Sequence, residues 1–167
     1  MRWGPVLACV VVLAVCGCTR SAPPDTEHRR YLRIAAADDV PTLDPAHGYD
    51  TASWQFEEML FNTLVDYDQE GRLVPELATH WEIANDHLTY TFSLREDVRF
   101  SHGRPLTAAD VKYSLERVLA PKTRSVGAEF FRGISGAEAC SKSPCSVTGI
   151  TVVNSHTLRL TMRQVDP

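Results

Sequence analysis

This chain of 167 residues lacks most of what marks an enzyme, a nucleic-acid binder or a multi-span membrane protein. It has no G-x-S-x-G nucleophile elbow and no G-x-x-x-x-G-K phosphate loop. Its histidines, His28, His47, His80, His87, His102 and His156, are scattered, with no H-x-H or H-E-x-x-H pairing to hold zinc. His87 and His156 fall in predicted turns, where a solvated imidazole is ordinary. Basic residues are outnumbered by acidic ones, 17 to 21, and form no cluster, which excludes a nucleic-acid surface. The acid pairs Asp38-Asp39, Glu57-Glu58 and Asp66/Asp68 read as a loop and as solvated faces rather than as catalytic carboxylates. We therefore expect no catalytic residue, no metal site and no cofactor, and an exported hydrolase reading fails for want of a nucleophile.

Long apolar runs are also missing. The one candidate, Val6 to Val15, is ten residues, too short to span a bilayer but suited to a signal peptide behind Arg2. It ends in Val15-Cys16-Gly17-Cys18, which resembles the lipobox of bacterial lipoproteins and implies acylation of Cys18. Leu13 to Cys16 is a poorer second candidate, because Val15 is not small. One acyl chain anchors only marginally, so stable anchoring needs several on the same cysteine. Removing residues 1–17 takes Arg2 with it and moves the net charge from −4 to −5. Thr19 to Arg30, with Pro23 and Pro24, has no apolar periodicity and suits a flexible tether, residues 18–30.

Five cysteines then reduce to a pair. Cys9 and Cys16 leave with the signal, Cys18 carries lipid, and Cys140 and Cys145 remain, an even number for an oxidising compartment. The turn-like Ser-Lys-Ser-Pro between them permits a small disulfide loop, which stabilises by about 2 kcal/mol in the chain-entropy picture. Two free thiols, or half of a metal site, are the alternatives.

The remaining residues, roughly 150, can bury one core. Leu32, Ile34 and Ala36 alternate as a strand, and a Pro-punctuated loop runs from Asp38 to Tyr49. Asp50 or Thr51 caps a helix carrying Trp54, Met59, Leu60 and Phe61. A short strand at Leu64–Tyr67 leads to a turn at Gln69-Glu70-Gly71, and a hairpin pairs Trp81–Ile83 with Leu88–Leu94. Thr107-Ala108-Ala109-Asp110 is a capping-box variant opening a helix with a Val111, Leu115, Val118, Leu119 stripe, stopped at Pro121. A last hairpin joins Ile150–Val153 to Thr157–Met162. Trp54 and Trp81 lie on apolar faces, so core packing is expected of both rather than stacking on a ligand. The class is α/β.

Three stretches carry a resemblance. YTFSLREDVRFSHGRPLTAADVKYSLERVL (Tyr90 to Leu119), LDPA (Leu43 to Ala46) and LVPELATHWEI (Leu73 to Ile83) resemble the family 5 extracellular solute-binding proteins, the oligopeptide and dipeptide receptors of bacterial ABC importers. The resemblance runs from about Leu32 onward. It implies the N-terminal part of a type II periplasmic-binding-protein-like fold, with residues 31–61 as the first strand and helix of lobe I. Residues 62–167 would then be most of a small extra domain. Family members have two lobes that close on a ligand, and the chain stops at Pro167 directly after a strand, so the resemblance makes it a fragment. It further implies a peptide ligand (in the full-length form), ABC permease subunits and the membrane as partners, no nucleic acid, a monomer, and a lipid-anchored extracytoplasmic place in the cell envelope. Peptides are held strand-fashion through their backbones. The ligand-facing stretch is His47 to Thr51, with Tyr49 and Thr51 placed for main-chain contact and Asp50 for a peptide amine, unless Asp50 caps the helix. The second approach is Ser125 to Phe131, where Gly127 replaces an aromatic residue and Phe130 and Phe131 follow. A chelated metal, haem, sugar or opine is the alternative ligand, and a small lipid-anchored envelope module binding a protein partner is the alternative class. Changing Cys18 to Ala should release the protein from membranes. Membrane fractions washed in high salt check this, and a variant that still sediments with them refutes the lipobox.

Overall fold

The two expected hairpins fuse into one sheet, because the alternation in each collects its apolar side chains on a single side. The computed structural model describes residues 33, 35, 38–140 and 145–165. The signal segment, Cys18, the tether and the expected strand at Leu32–Ala36 lie outside these, apart from Arg33, which is exposed, and Ala35, also exposed. In chain order come helix α1 (Thr51–Leu60), strands β1 (Val65–Tyr67), β2 (Leu73–Pro75), β3 (Ala78–Ile83) and β4 (Thr89–Leu94), and helix α2 (Ala108–Leu119). Two short 3-10 segments follow, Val126–Phe131 and Ala137–Ala139, then β5 (Ile150–Asn154) and β6 (Thr157–Thr161). Strands β1 and β2 make a separate two-stranded ribbon, whose second strand, short and ending in Pro75, gives no alternation to read in advance.

The main sheet is antiparallel, ordered β3-β4-β6-β5. Its cross-strand rows, Trp81–Phe92–Leu158–Val152 and Ile83–Tyr90–Leu160–Ile150, gather most of its apolar residues on one face, Val153 being left exposed. Glu82, Thr91, Arg159 and Thr151 form a polar row on the other. Helix α2 lies against β5 and β6 and seals part of the apolar face. Ile150, Leu158 and Val147 are essentially inaccessible, with Leu94, Val111, Leu119 and Ile134 around them. Burying each such side chain is worth about 1.5–3 kcal/mol.

Polar bonds hold α2 in register on this core. Lys112 Nζ donates to the Ile150 carbonyl at 2.6 Å, and Glu116 Oε1 accepts from the Val147 amide at 2.8 Å. At the start of the helix the Asp110 carboxylate accepts from the Thr107 amide at 2.8 Å and is gripped by both terminal nitrogens of Arg104. Gly149 sits where three backbones meet: a Cβ there would lie 2.5 Å from Ser135 O and 2.7 Å from Thr161 O. Cys140 and Cys145 are disulfide-bonded, with Cα atoms 4.9 Å apart.

Helix α1 inverts the expected pattern. Ser53 and Glu57, one turn apart, are its buried residues, whereas Trp54 is 63% exposed and Met59, Leu60 and Phe61 are open to solvent. Trp54 is thus not a core residue, and Trp81 is only half-buried on the sheet. Nor is Glu57 a solvated surface charge; only its neighbour Glu58 is. The cause is the entry to the helix. Asp50 is the N-cap, its Oδ1 accepting from the Ser53 amide at 2.8 Å, and this turns the Ser53/Glu57 stripe towards the preceding loop. Among the described residues nothing covers the apolar stripe. Urea unfolding should therefore show Trp54→Gln within about 0.5 kcal/mol of wild type and Leu158→Ala destabilised by about 3 kcal/mol. Equal losses in the two variants would mean that Trp54 is packed.

Candidate functional site

Asp44 organises the loop that leads into α1. Its Oδ1 accepts from the Ala46 amide at 3.0 Å, and its Oδ2 pairs with Arg117 of α2 and lies 3.2 Å from His47 Nδ1. His47 Nε2 in turn donates to the Thr123 carbonyl at 2.6 Å. One carboxylate thereby ties the 44–50 loop both to α2 and to the turn after it. The Arg117 guanidinium beside Asp44 holds its carboxyl at about 2, burial opposing and the Ala46 amide and His47 assisting.

These ties bring together the two stretches expected to face a ligand. Tyr49 and Phe130 stack with ring centroids 6.1 Å apart and planes 27° from parallel. Tyr49 is 68% and Phe130 69% exposed, so the pair shows most of its ring surface to solvent. Phe131 turns the other way and packs against the core. Of the remaining expected residues, Thr51 is exposed at the first position of α1, and Asp50 has one oxygen committed to the helix cap. Gly127 is half-buried in the 3-10 segment opened by Ser125, whose Oγ accepts from the Gly127 amide at 3.2 Å. A Cβ at Gly127 would meet only that Oγ, at 3.5 Å, so neither space nor backbone conformation requires glycine there. Asp44, Arg117 and Thr123 were not foreseen as parts of the site. Their signal was weak, since an aspartate before a proline and an arginine on a helix have many uses.

A concavity of about 300 Å³ opens at the C-terminal end of α2 between Leu119, Arg124, Arg132, Ala137 and Glu138. Its charges are mixed, Arg132 is paired with Glu129 at 2.7 Å, and the helix end carries negative character. It offers no convergent set of polar groups. Among the described residues no group of His, Cys, Asp or Glu has a metal-binding arrangement, and no helix is long and apolar enough to cross a membrane.

Residues 72–167 match the family model described as bacterial extracellular solute-binding proteins, family 5 Middle. The periplasmic murein peptide-binding protein MppA of Escherichia coli is 37% identical over 127 residues, covering 74% of this chain and 24% of that protein. The dipeptide-binding protein DppE of Bacillus subtilis is 28% identical over 96% of this chain and 32% of its own length. Among solved structures, that of the E. coli murein tripeptide binding protein MppA superposes with a TM-score of 0.70 at 35% identity, over 78% of this chain and 26% of that one. Haemophilus influenzae OppA in complex with RPPGFSPFR gives 0.70 at 27% identity over 75% of this chain and 25% of that one. The chain spans a quarter to a third of the length of these relatives.

The Asp44 carboxyl, held below its usual range, stabilises fully above the ordinary carboxylate pKa of about 3.9. That contribution is lost as pH falls through about 2. Accordingly, Arg117→Met should lower the melting temperature by a constant amount from neutral pH down to about pH 4, with the gap closing towards pH 2. Thermal melts across this range check it; a gap independent of pH would leave Arg117 a packing residue only.

Proposed function

The chain belongs to the bacterial extracellular solute-binding proteins of family 5, and on that premise we propose that it is the N-terminal part of a receptor that captures peptides outside the cytoplasm for an ABC importer. The observation that carries the peptide reading is the Tyr49–Phe130 pair. Two stacked rings left in solvent forgo the burial that usually accompanies aromatic side chains, and they offer a flat apolar surface beside the start of α1. An extended peptide laid against Tyr49 and Thr51 would be held by main-chain hydrogen bonds, with one of its side chains on the rings. Asp50 keeps its capping role and contributes charge near a peptide amine, while Gly127 presents no ring where peptide binders carry one, and Phe130 supplies the aromatic surface of that segment.

In this reading residues 1–17 are a signal peptide, Cys18 is the acylated anchor and 18–30 the tether. Residues 31–61 begin lobe I, and 62–167 form most of the small extra domain. The open apolar stripe of α1 supports it: a helix that buries Ser53 and Glu57 and exposes Trp54, Met59 and Leu60 is shaped to be covered by further lobe I structure. The receptor acts as a monomer and hands its ligand to permease subunits. Lobe closure follows from a ligand that contacts both lobes and so binds the closed state more tightly.

Calorimetric titration with short peptides tests this on the receptor purified from the membranes of its own cells. Tyr49→Ala and Phe130→Ala should each weaken binding by about tenfold, near 1.4 kcal/mol, while the 167-residue chain alone should bind no peptide detectably. Unchanged affinity in both variants, or a ligand that proves to be a chelated metal, haem, sugar or opine, would overturn the peptide assignment.

A further inference from the structure

The candidate site rests on a group that its expected chemistry does not use. Glu57 is 7% exposed, and its Oε1 has no hydrogen-bond partner among the described residues; the same holds for the Oγ of Ser53, one turn earlier on the same face. The carboxyl lies directly under the loop. A Cβ built on Gly48 would fall 1.8 Å from Glu57 Oε1 and 2.5 Å from Cδ, so Glu57 occupies the space a side chain at position 48 would need. Gly48 immediately precedes Tyr49.

The groups around this carboxyl do not neutralise it. The charges that act on it are the capping Asp50 of its own helix and Asp44 of the loop, Gly48 sits over it, and His47 of the same loop is bonded to Asp44 and to the Thr123 carbonyl. Arg117 of α2, the guanidinium that reaches this loop, is committed to Asp44. The Thr123 carbonyl, from the turn after α2, is taken by His47. Among the described residues an ionised Glu57 would be a buried charge without a counter-ion, near the carboxylates of Asp50 and Asp44, and such a charge costs several kcal/mol. Burial first, then the charges of Asp50 and Asp44, raise its pKa above the ordinary glutamate value.

We propose that Glu57 is a positioning residue for the ligand surface: its neutral carboxyl lets the Gly48 backbone seat on α1 and holds Tyr49 against Phe130, and loss of its proton to solvent unseats them. The sign follows from the buried position. The seated loop is favoured at mildly acidic pH and weakens as pH rises through the pKa of Glu57, the opposite of the Asp44 tie, which weakens only in strong acid. This rests on the reading of Tyr49 and Phe130 as the ligand surface, and it makes capture proton-dependent.

The test uses the whole 167-residue chain and the ring-proton NMR signals of Tyr49, identified by their loss in Tyr49→Phe. Between about pH 4 and about pH 8 they should shift in one step, with a midpoint above the ordinary carboxylate range near 4.3. In Glu57→Gln, which keeps the shape and removes the charge, the step should vanish and the low-pH signal persist throughout. Absence of a step in the wild type, or a step surviving in Glu57→Gln, overturns the proposal. Peptide affinity of the longer receptor, measured at both ends of the range, separates the two readings. A ring step with flat affinity spares Glu57 as the positioner of Tyr49 but refutes the use of Tyr49 in binding. Affinity that falls with rising pH in the wild type, and not in Glu57→Gln, supports both.

Discussion

The arrangement that brings Tyr49 beside Phe130 depends on the carboxylate of Asp44. It sits in a loop with no regular structure, yet it engages a backbone amide, an imidazole and a guanidinium at once. A loop of this length has considerable freedom to lose, and a single surface ion pair would contribute little to ordering it. Three partners on one carboxylate, one of them a helix residue already fixed by the core, are a different case. The rigid partner has lost its freedom already, and the network shares the remaining cost. Because His47 then reaches the Thr123 carbonyl, the same anchor fixes the turn that sends the chain into the 3-10 segment carrying Phe130.

The fold beneath is a support for this arrangement. Helix α2 is tied to the sheet by its apolar stripe and by the Lys112 and Glu116 bonds, so its last turn delivers Arg117 to a definite place. The close crossing at Gly149 and the bridge between Ile134 and Met162 fix the segment that follows the 3-10 turn. Scaffold and site divide cleanly. The core is apolar and local to the sheet and α2, while the site is a chain of polar contacts running outward from it to two loops.

Helix α1 shows how the two can conflict. Its composition asks for an apolar inner face, and its entry through the Asp50 cap and the Asp44 loop gives it a polar one. An apolar stripe left open and a carboxyl left buried are both expensive, and they arise from the same rotation of the helix. Relatives three to four times as long supply ample further structure that can meet such a stripe. The buried carboxyl lies instead against the Gly48 backbone, which links it to the loop above.

Much of this was legible beforehand. The β4 alternation, the Thr107–Asp110 cap and the two hairpins are local, and period and capping chemistry suffice to read them. Tyr49 and the segment around Gly127 were singled out only through the resemblance, since nothing in their own residues speaks of a ligand. Three things stayed hidden: the pairing of β4 with β6, the burial of Glu57 against Gly48, and the meeting of Tyr49 with Phe130. The first needs the matching of two distant apolar rows. The second needs the helix rotation, which Trp54 and Met59 argued against. The third needs Asp44, His47 and Thr123 in one place. The sequence by itself determined the elements, the apolar face of each strand and the family, because these follow from neighbours along the chain. Only the tertiary structure decided which face of α1 is buried and which rings share a surface, because those depend on contacts between residues that the chain holds far apart.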